Sequence, residues 1–245
     1  MEKTIKFWIP GLSLTILLGF ISFTAITRLD NSAINGAWKL QQGTVEQVLI
    51  FSDGYFMHTT FNKTKKQFVQ SRGGAYKFAG NKLATSIEFN TQLKDQIGQS
   101  INYDFVVNKD RLSTDLGGKK EAWKLLDKGD GVMAGTWRSS GRMQDGKVVL
   151  NPPRARKTFK ILTGTRFQWA AINAETKEFF GTGGGTYTFT NGKYTESIEF
   201  FSRDSSRVGA SLTFDGKLEE GNWHHSGMSS KGTPIYEIWR MEPKQ

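Results

Sequence analysis

Glu196 is the residue of this sequence with the clearest capacity for chemistry. It alternates with Tyr194, Ile198 and Phe200 in a segment of period two. Because alternate residues of a β-strand point to the same face, its carboxylate should lie among apolar and aromatic side chains. A carboxylate buried there is costly unless a partner satisfies it. Glu196 is therefore predicted to be either a polar anchor for a ligand or one half of a structural ion pair.

The residues around Glu196 leave both interpretations open. A structural ion pair would use Arg166 or Arg240 as the partner. Phe167 and Trp169 share a face of another strand, where they would form either ordinary core or the aromatic wall of a cavity. The predicted ligand-binding residues are Glu196, Tyr194, Trp169, Arg166 and Phe167.

Signatures of metal binding and catalysis are weak. His224 and His225 are adjacent, so on a strand they point to opposite faces and are not expected to share an ion. The chain has no cysteine, no Gly-x-Ser-x-Gly elbow, no phosphate loop and no paired-histidine motif. We therefore expect no metal, no cofactor and no enzymatic activity. A hydrolase using Glu196 is the least favoured alternative, because Glu237 recurs beside a tryptophan as Glu121, which suits a structural role better.

The elements that must position these residues belong to an internal repeat. Residues 48–104 align without a gap on residues 159–215, at a constant offset of 111 (159 minus 48). The sequence Ser-Ile-Glu-Phe, for example, occurs at both 86–89 and 197–200. Shared landmarks from end to end indicate a duplicated module. Copy one is assigned to residues 34–126 and copy two to residues 132–242, joined by a polar, glycine-containing linker at 127–131.

Within each copy the pattern is typical of short antiparallel strands. Asp53-Gly54 and Asn191-Gly192 separate alternating runs as hairpin turns, and the glycines at 183–185 suggest a bulge that lets a sheet curl. Strongly curved antiparallel sheets close into barrels, which removes exposed edges. The predicted fold is all-β, with two tandem small antiparallel β-barrels after an N-terminal leader. One continuous sandwich built from both copies is the alternative.

Charge and the first residues bear on location and partners. The formal net charge is +10, but Lys and Arg are scattered along the chain, which favours solubility over a nucleic-acid partner. Residues 1–28 have a basic start and an uncharged stretch at 7–27, as in a signal peptide or an N-terminal membrane anchor. The expected location is periplasmic or secreted. Membrane contact is expected only through this segment, if it stays uncleaved.

Landmarks at the ends of each copy resemble the lipocalins and the wider calycin group. Gly36-Ala-Trp38 and Gly135-Thr-Trp137 match the Gly-x-Trp of their first strand, and Lys124 and Arg240 match the basic residue of their last strand. The resemblance implies that Trp38 with Lys124, and Trp137 with Arg240, close the two barrels. Copy two is similar to lipocalin-like domains of unknown function in exported Bacteroidetes proteins. It shares their landmarks at 185–187, 194–198 and 237–240.

The predicted function is that of an exported, non-catalytic lipocalin-like protein that binds a small apolar or amphiphilic ligand in the cell envelope. The alternative is an interaction module with filled barrels that binds protein or polysaccharide. Binding is expected in copy two, since copy one replaces the residues of the candidate site. Tyr194, Glu196, Trp169 and Arg166 correspond in copy one to Leu83, Thr85, His58 and Tyr55.

Overall fold

The chain forms two closed antiparallel β-barrels in tandem, each with eight strands in the barrel wall. They are seen in a computed structural model that describes residues 34–79, 82–229 and 231–243. The predicted all-β fold is confirmed, and the two copies do not merge into one sandwich. The leader proposed at residues 1–28 lies outside the described residues. In the described part of the chain, no helix is both long and apolar enough to cross a membrane.

The first barrel runs in simple up-and-down order, and its first and last strands pair to close it. Its strands are β1 Gly36–Gln42, β2 Val45–Ser52, β3 Tyr55–Asn62, β4 Gln67–Ala79, β5 Lys82–Asn90, β6 Ser100–Asn108, β7 Arg111–Thr114 and β8 Glu121–Asp127. This order removes unpaired edges, as the glycine-rich antiparallel pattern predicts.

The second barrel has one strand more. Its strands are β9 Gly135–Gln144, β10 Lys147–Leu150, β11 Arg156–Leu162, β12 Arg166–Asn173, β13 Glu178–Thr190, β14 Lys193–Phe201, β15 Ser211–Glu219, β16 Asn222–Met228 and β17 Pro234–Met241. Strand β9 pairs with both β11 and β17 and so closes the barrel. Its far end pairs with β10 in a hairpin that extends outside the barrel wall.

The structure reproduces the repeat element by element. Strands β3 to β6 have the same lengths and the same offset as β12 to β15. In each barrel a register shift lies between consecutive glycines, at Gly73/Gly74 and at Gly184/Gly185. The extra residue opposite each glycine pair is a glutamate, Glu88 or Glu199. The predicted bulge is thus confirmed, and it occurs in both copies.

The bulge changes which residues share a face with Glu196. Tyr194, Glu196 and Ile198 point into the second barrel, but the extra residue turns Phe200 to the outside. The expectation that Phe200 lies beside Glu196 was therefore wrong. One inserted residue reverses the alternation of a strand, so Phe201 takes the inward position.

The tryptophans predicted to close the barrels are buried, but the basic residues of the last strands are not. Trp38 and Trp137 are buried, and their indole N–H groups donate to the carbonyls of Ile34 and Met133. Lys124 and Arg240 are exposed on the outer face. They were expected to pack across the tryptophans. Their neighbours Trp123 and Trp239 point inward in their place, because adjacent strand residues alternate.

The two barrels pack against each other through apolar outer faces. The shared cluster includes Val48, Ile50 and Phe61 from the first barrel with Phe159, Ile161 and Ile172 from the second. These are equivalent positions of the repeat. The ring contact between Phe68 and Phe200 likewise has a counterpart between Phe179 and Phe89. The interface is therefore isologous, with the same patch used on both sides as in a two-fold dimer.

Polar contacts fix the junction between the barrels. Gln168 donates to Ser71 and accepts from Thr59 across the interface, both at 2.9 Å. The carboxylate of Asp127 accepts hydrogen bonds from the loop of Thr163, Gly164 and Thr165 in the second barrel. The segment at 127–131 was expected to be a simple polar linker, but its first residue is anchored to both barrels.

Candidate functional site

The second barrel contains a cavity of about 280 Å³. Its walls are mainly apolar, with contributions from Phe167, Trp169, Ile198, Phe201, Leu212, Phe214, Ile235 and Trp239. Six polar or charged side chains join them, namely Thr158, Lys160, Glu196, His225, Ser229 and Glu237. Apolar walls with a few convergent polar groups are typical of a small-molecule site.

Lys160 and Glu196 form a buried ion pair in this cavity. The Lys160 Nζ lies 2.6 Å from a carboxylate oxygen of Glu196, and both side chains are at least nine-tenths buried. The same ammonium lies 5.1 to 5.5 Å from the ring centroids of Phe167, Tyr194, Trp223 and Trp239. Cation–π attraction therefore adds to the ion pair in compensating the loss of hydration.

His225 and Glu237 form a second polar pair in the cavity wall. The Nδ1 of His225 lies 3.3 Å from Glu237, and the Trp239 indole donates to the same carboxylate oxygen at 3.1 Å. Burial lowers the pKa of His225, although the hydrogen bond to Glu237 opposes the shift. Burial alone would raise the pKa of Glu237, but the hydrogen bonds and the positive charge of Lys160 lower it overall. Near neutral pH this corner holds a neutral imidazole beside an ionised carboxylate.

The structure brings together only part of the predicted ligand-binding set. Glu196, Phe167 and Trp169 line the cavity, whereas Tyr194 is fully buried behind it, where burial and the neighbouring Glu196 raise its pKa. Arg166 lies on the opposite face of β12 and pairs with Glu199, so it neither lines the cavity nor contacts Glu196. Glu199 also pairs with Lys63 of the first barrel.

Three titratable residues of the cavity were missed as ligand-binding candidates in the sequence. The partner of Glu196 is Lys160, whereas Arg166 or Arg240 had been expected. Lys160 could have been noticed as a lysine within the apolar run 159–162, at the position where copy one has Leu49. His225 had been considered only for metal binding. Glu237 had been assigned a structural role because it recurs as Glu121.

The first barrel replaces this polar centre with ordinary core. Leu49, Leu83 and Thr85 occupy the positions equivalent to Lys160, Tyr194 and Glu196, and each is at most 2% exposed. His58 stands in the place of Trp169, bonded to Gln47 at 2.9 Å and packed edge-on against Trp123. Copy one therefore lacks both the lysine and the glutamate of the buried ion pair.

The adjacent histidines do not form a metal site. His225 points into the second barrel, and His224 points outward to the hydroxyl of Tyr236 at 2.8 Å. Among the residues described, no group of three or more histidine or acidic side chains is placed to hold an ion.

Comparison with known protein families and with curated proteins finds no match. The architecture alone therefore places this chain among known folds. Two tandem eight-stranded antiparallel barrels, each closed by pairing of its first and last strands, are consistent with a lipocalin-like fold.

Proposed function

We propose that this protein is an exported, non-catalytic carrier or sensor that binds a small amphiphilic ligand in its second barrel. The observation that carries the proposal is the cavity of about 280 Å³, with mainly apolar walls and a few polar groups among them. At about 30 Å³ for each water-sized group, it has room for roughly nine such groups. A ligand of that size would bury most of its surface in the barrel.

The asymmetry between the barrels supports this assignment. Both barrels share one backbone plan, yet the second keeps a buried Lys160–Glu196 pair where the first has Leu49 and Thr85. A buried ion pair often contributes no more to stability than well-packed apolar residues of similar volume. Its presence in the barrel with the cavity fits a role in recognising a ligand. Export and the likeness to exported Bacteroidetes domains remain part of the proposal, resting on residues 7–27 and on the landmarks of copy two.

The test uses octanol, a neutral amphiphile with nine non-hydrogen atoms, observed through the indole N–H signals of the tryptophans in NMR spectra. We expect octanol to shift the signals of Trp169 and Trp239, which line the cavity. Leu212→Trp should narrow the cavity and abolish the shifts. The matched control is Ile101→Trp at the equivalent position of the first barrel, which should leave them unchanged. Absence of octanol binding to the unmodified protein would refute the proposal.

A second function, as an envelope interaction module, is favoured by the hairpin of β9 and β10. Every residue of β10 is exposed, including Val148, Val149 and Leu150. Exposed apolar strands of this kind are typical of protein contact sites. A photo-crosslinking residue placed at Val149 in the native host tests it. A discrete adduct with another protein supports this function, and its absence argues against it.

A further inference from the structure

The charged groups of the second-barrel cavity specify the polar head of its ligand. Among the described lining residues, Glu196 and Glu237 carry two negative charges against the single positive charge of Lys160. Lys160 is already paired with Glu196 and lies among aromatic rings, so its positive charge is largely compensated within the protein. The cavity therefore has an excess of one negative charge, although the whole chain is strongly basic.

His225, in the cavity wall, has an unused hydrogen-bond acceptor. His225 is only 3% exposed, and its Nε2 has no hydrogen-bond partner among the residues that the structure describes. Since Nδ1 of the neutral imidazole donates to Glu237, Nε2 carries a lone pair. A buried acceptor without a partner is costly. The lone pair is enclosed in the barrel wall, and the neutral imidazole adds no positive charge beside Glu237.

Glu237 is the accessible acidic group beside this acceptor. Its side chain is 36% exposed, whereas that of Glu196 is 10% exposed. Aromatic side chains, including Phe214 and Trp239, also line the cavity, and aromatic rings can attract a cation. A carboxylate or phosphate in the same place would meet the negative charge of Glu237.

We propose that the cavity selects amphiphiles with a protonated amine head, which pairs with Glu237 while the tail lies along the apolar walls. This inference rests on the proposed carrier function and adds the class of its ligand. It distinguishes this site from one built for fatty acids, which would present a free cation to the ligand.

Three probes with the same eight-carbon chain test the inference near neutral pH, namely octylamine, octanol and octanoate. Their binding to the unmodified full chain is measured by isothermal titration calorimetry. We expect octylamine to bind at least about tenfold more tightly than octanoate, since like charges at close range repel and opposite charges attract. Glu237→Gln should weaken octylamine binding about tenfold, with a smaller effect on the binding of uncharged octanol. Glu121→Gln removes the equivalent charge from the first barrel and should change neither.

The outcomes separate the inference from the function on which it rests. If octanol binds but octanoate binds as tightly as octylamine, the amine preference is refuted and the carrier function stands. If none of the three probes binds, both fall. The comparison of probes on unmodified protein holds even if Glu237→Gln fails to fold. Retained octanol binding by that variant shows that its cavity is intact.

Discussion

The Nζ of Lys160 lies 2.6 Å from Glu196 inside the second barrel, and the residues at the equivalent positions of the first barrel are Leu49 and Thr85. The two barrels thus share a backbone arrangement but differ in the side chains at the middle of the interior. In the first barrel the centre is apolar with one hydroxyl, which Thr85 donates to the carbonyl of Ile101. In the second barrel it is ionic, and four aromatic rings surround the cation.

Replacing only one residue of this ion pair should destabilise the protein more than replacing both. Lys160→Leu leaves the carboxylate of Glu196 buried without its partner and should lower the free energy of unfolding by about 3–5 kcal/mol. The double variant Lys160→Leu/Glu196→Thr installs the residues of the first barrel and should recover most of this loss. Urea denaturation followed by tryptophan fluorescence measures both.

The matched control for the ion pair is Lys193–Asp215 on the outer surface, where both side chains are more than half exposed. Lys193→Ala should leave stability nearly unchanged, because solvent screens exposed pairs. If Lys160→Leu lowered the free energy of unfolding no more than Lys193→Ala does, the buried pair would not contribute to stability. A double variant no more stable than Lys160→Leu would show that the loss comes from something other than the unpaired carboxylate.

The interface between the barrels should make them unfold together. Phe200 contacts Phe61 and Phe68 of the first barrel, and Phe200→Ala should destabilise the whole chain by about 3–5 kcal/mol. We expect differential scanning calorimetry to show one transition, displaced to lower temperature in this variant. Val149→Ala on the exposed strand β10 is the control and should have little effect. Two separate transitions in the unmodified protein would mean that the barrels are independent.

The glycines opposite the bulge should tolerate no side chain. A Cβ on Gly185 would lie 2.0 Å from the carbonyl oxygen of Ser197, which is backbone and has little freedom to move. Gly185→Ala should therefore cost about 2 kcal/mol or more. Gly131→Ala is the control, because its Cβ would meet nothing closer than 3.7 Å. Thermal unfolding compares the two, and equal midpoints would exclude the steric argument.

The sequence was sufficient for the barrels but only partly for the site. Alternation and the repeat predicted the strands and the inward face of Glu196, because both depend on local pattern. The partner of Glu196 depends on which strands become neighbours across the barrel, which no local pattern encodes. The predicted orientation of Phe200 was wrong for another reason. The inserted Glu199 shifts the alternation of the strand by one residue.

The interface between the barrels was not predicted, because its residues do not stand out from the alternating pattern of the strands. Every residue of β3 is buried, since the inner face lies in the first barrel and the outer face lies against the second. A strand covered on both faces loses the apolar–polar alternation that would mark one side as solvent. Val48 and Ile50 therefore looked like ordinary strand residues, although they belong to the contact between the barrels.

Buried histidines should make stability fall in mild acid. Burial, and to a lesser extent the positive charge of Arg72, hold the pKa of His58 well below 6.5, and burial also lowers the pKa of His225. Below pH 6.5 the unfolded chain binds protons that the folded chain does not bind, so folding is opposed as the pH falls. Above that value the imidazoles are neutral in both states and have no such effect.

We expect the free energy of unfolding to fall between about pH 7.5 and about pH 5.5, by at most about 1.4 kcal/mol per pH unit for each histidine. Gln47 accepts the hydrogen bond of neutral His58, and a glutamine at this position can still donate. His58→Gln should therefore fold and show a shallower dependence on pH. His58→Gln/His225→Gln should be shallower still. Urea denaturation at the two pH values measures each slope, and a slope that both variants share with the unmodified protein would exclude the histidines as its cause.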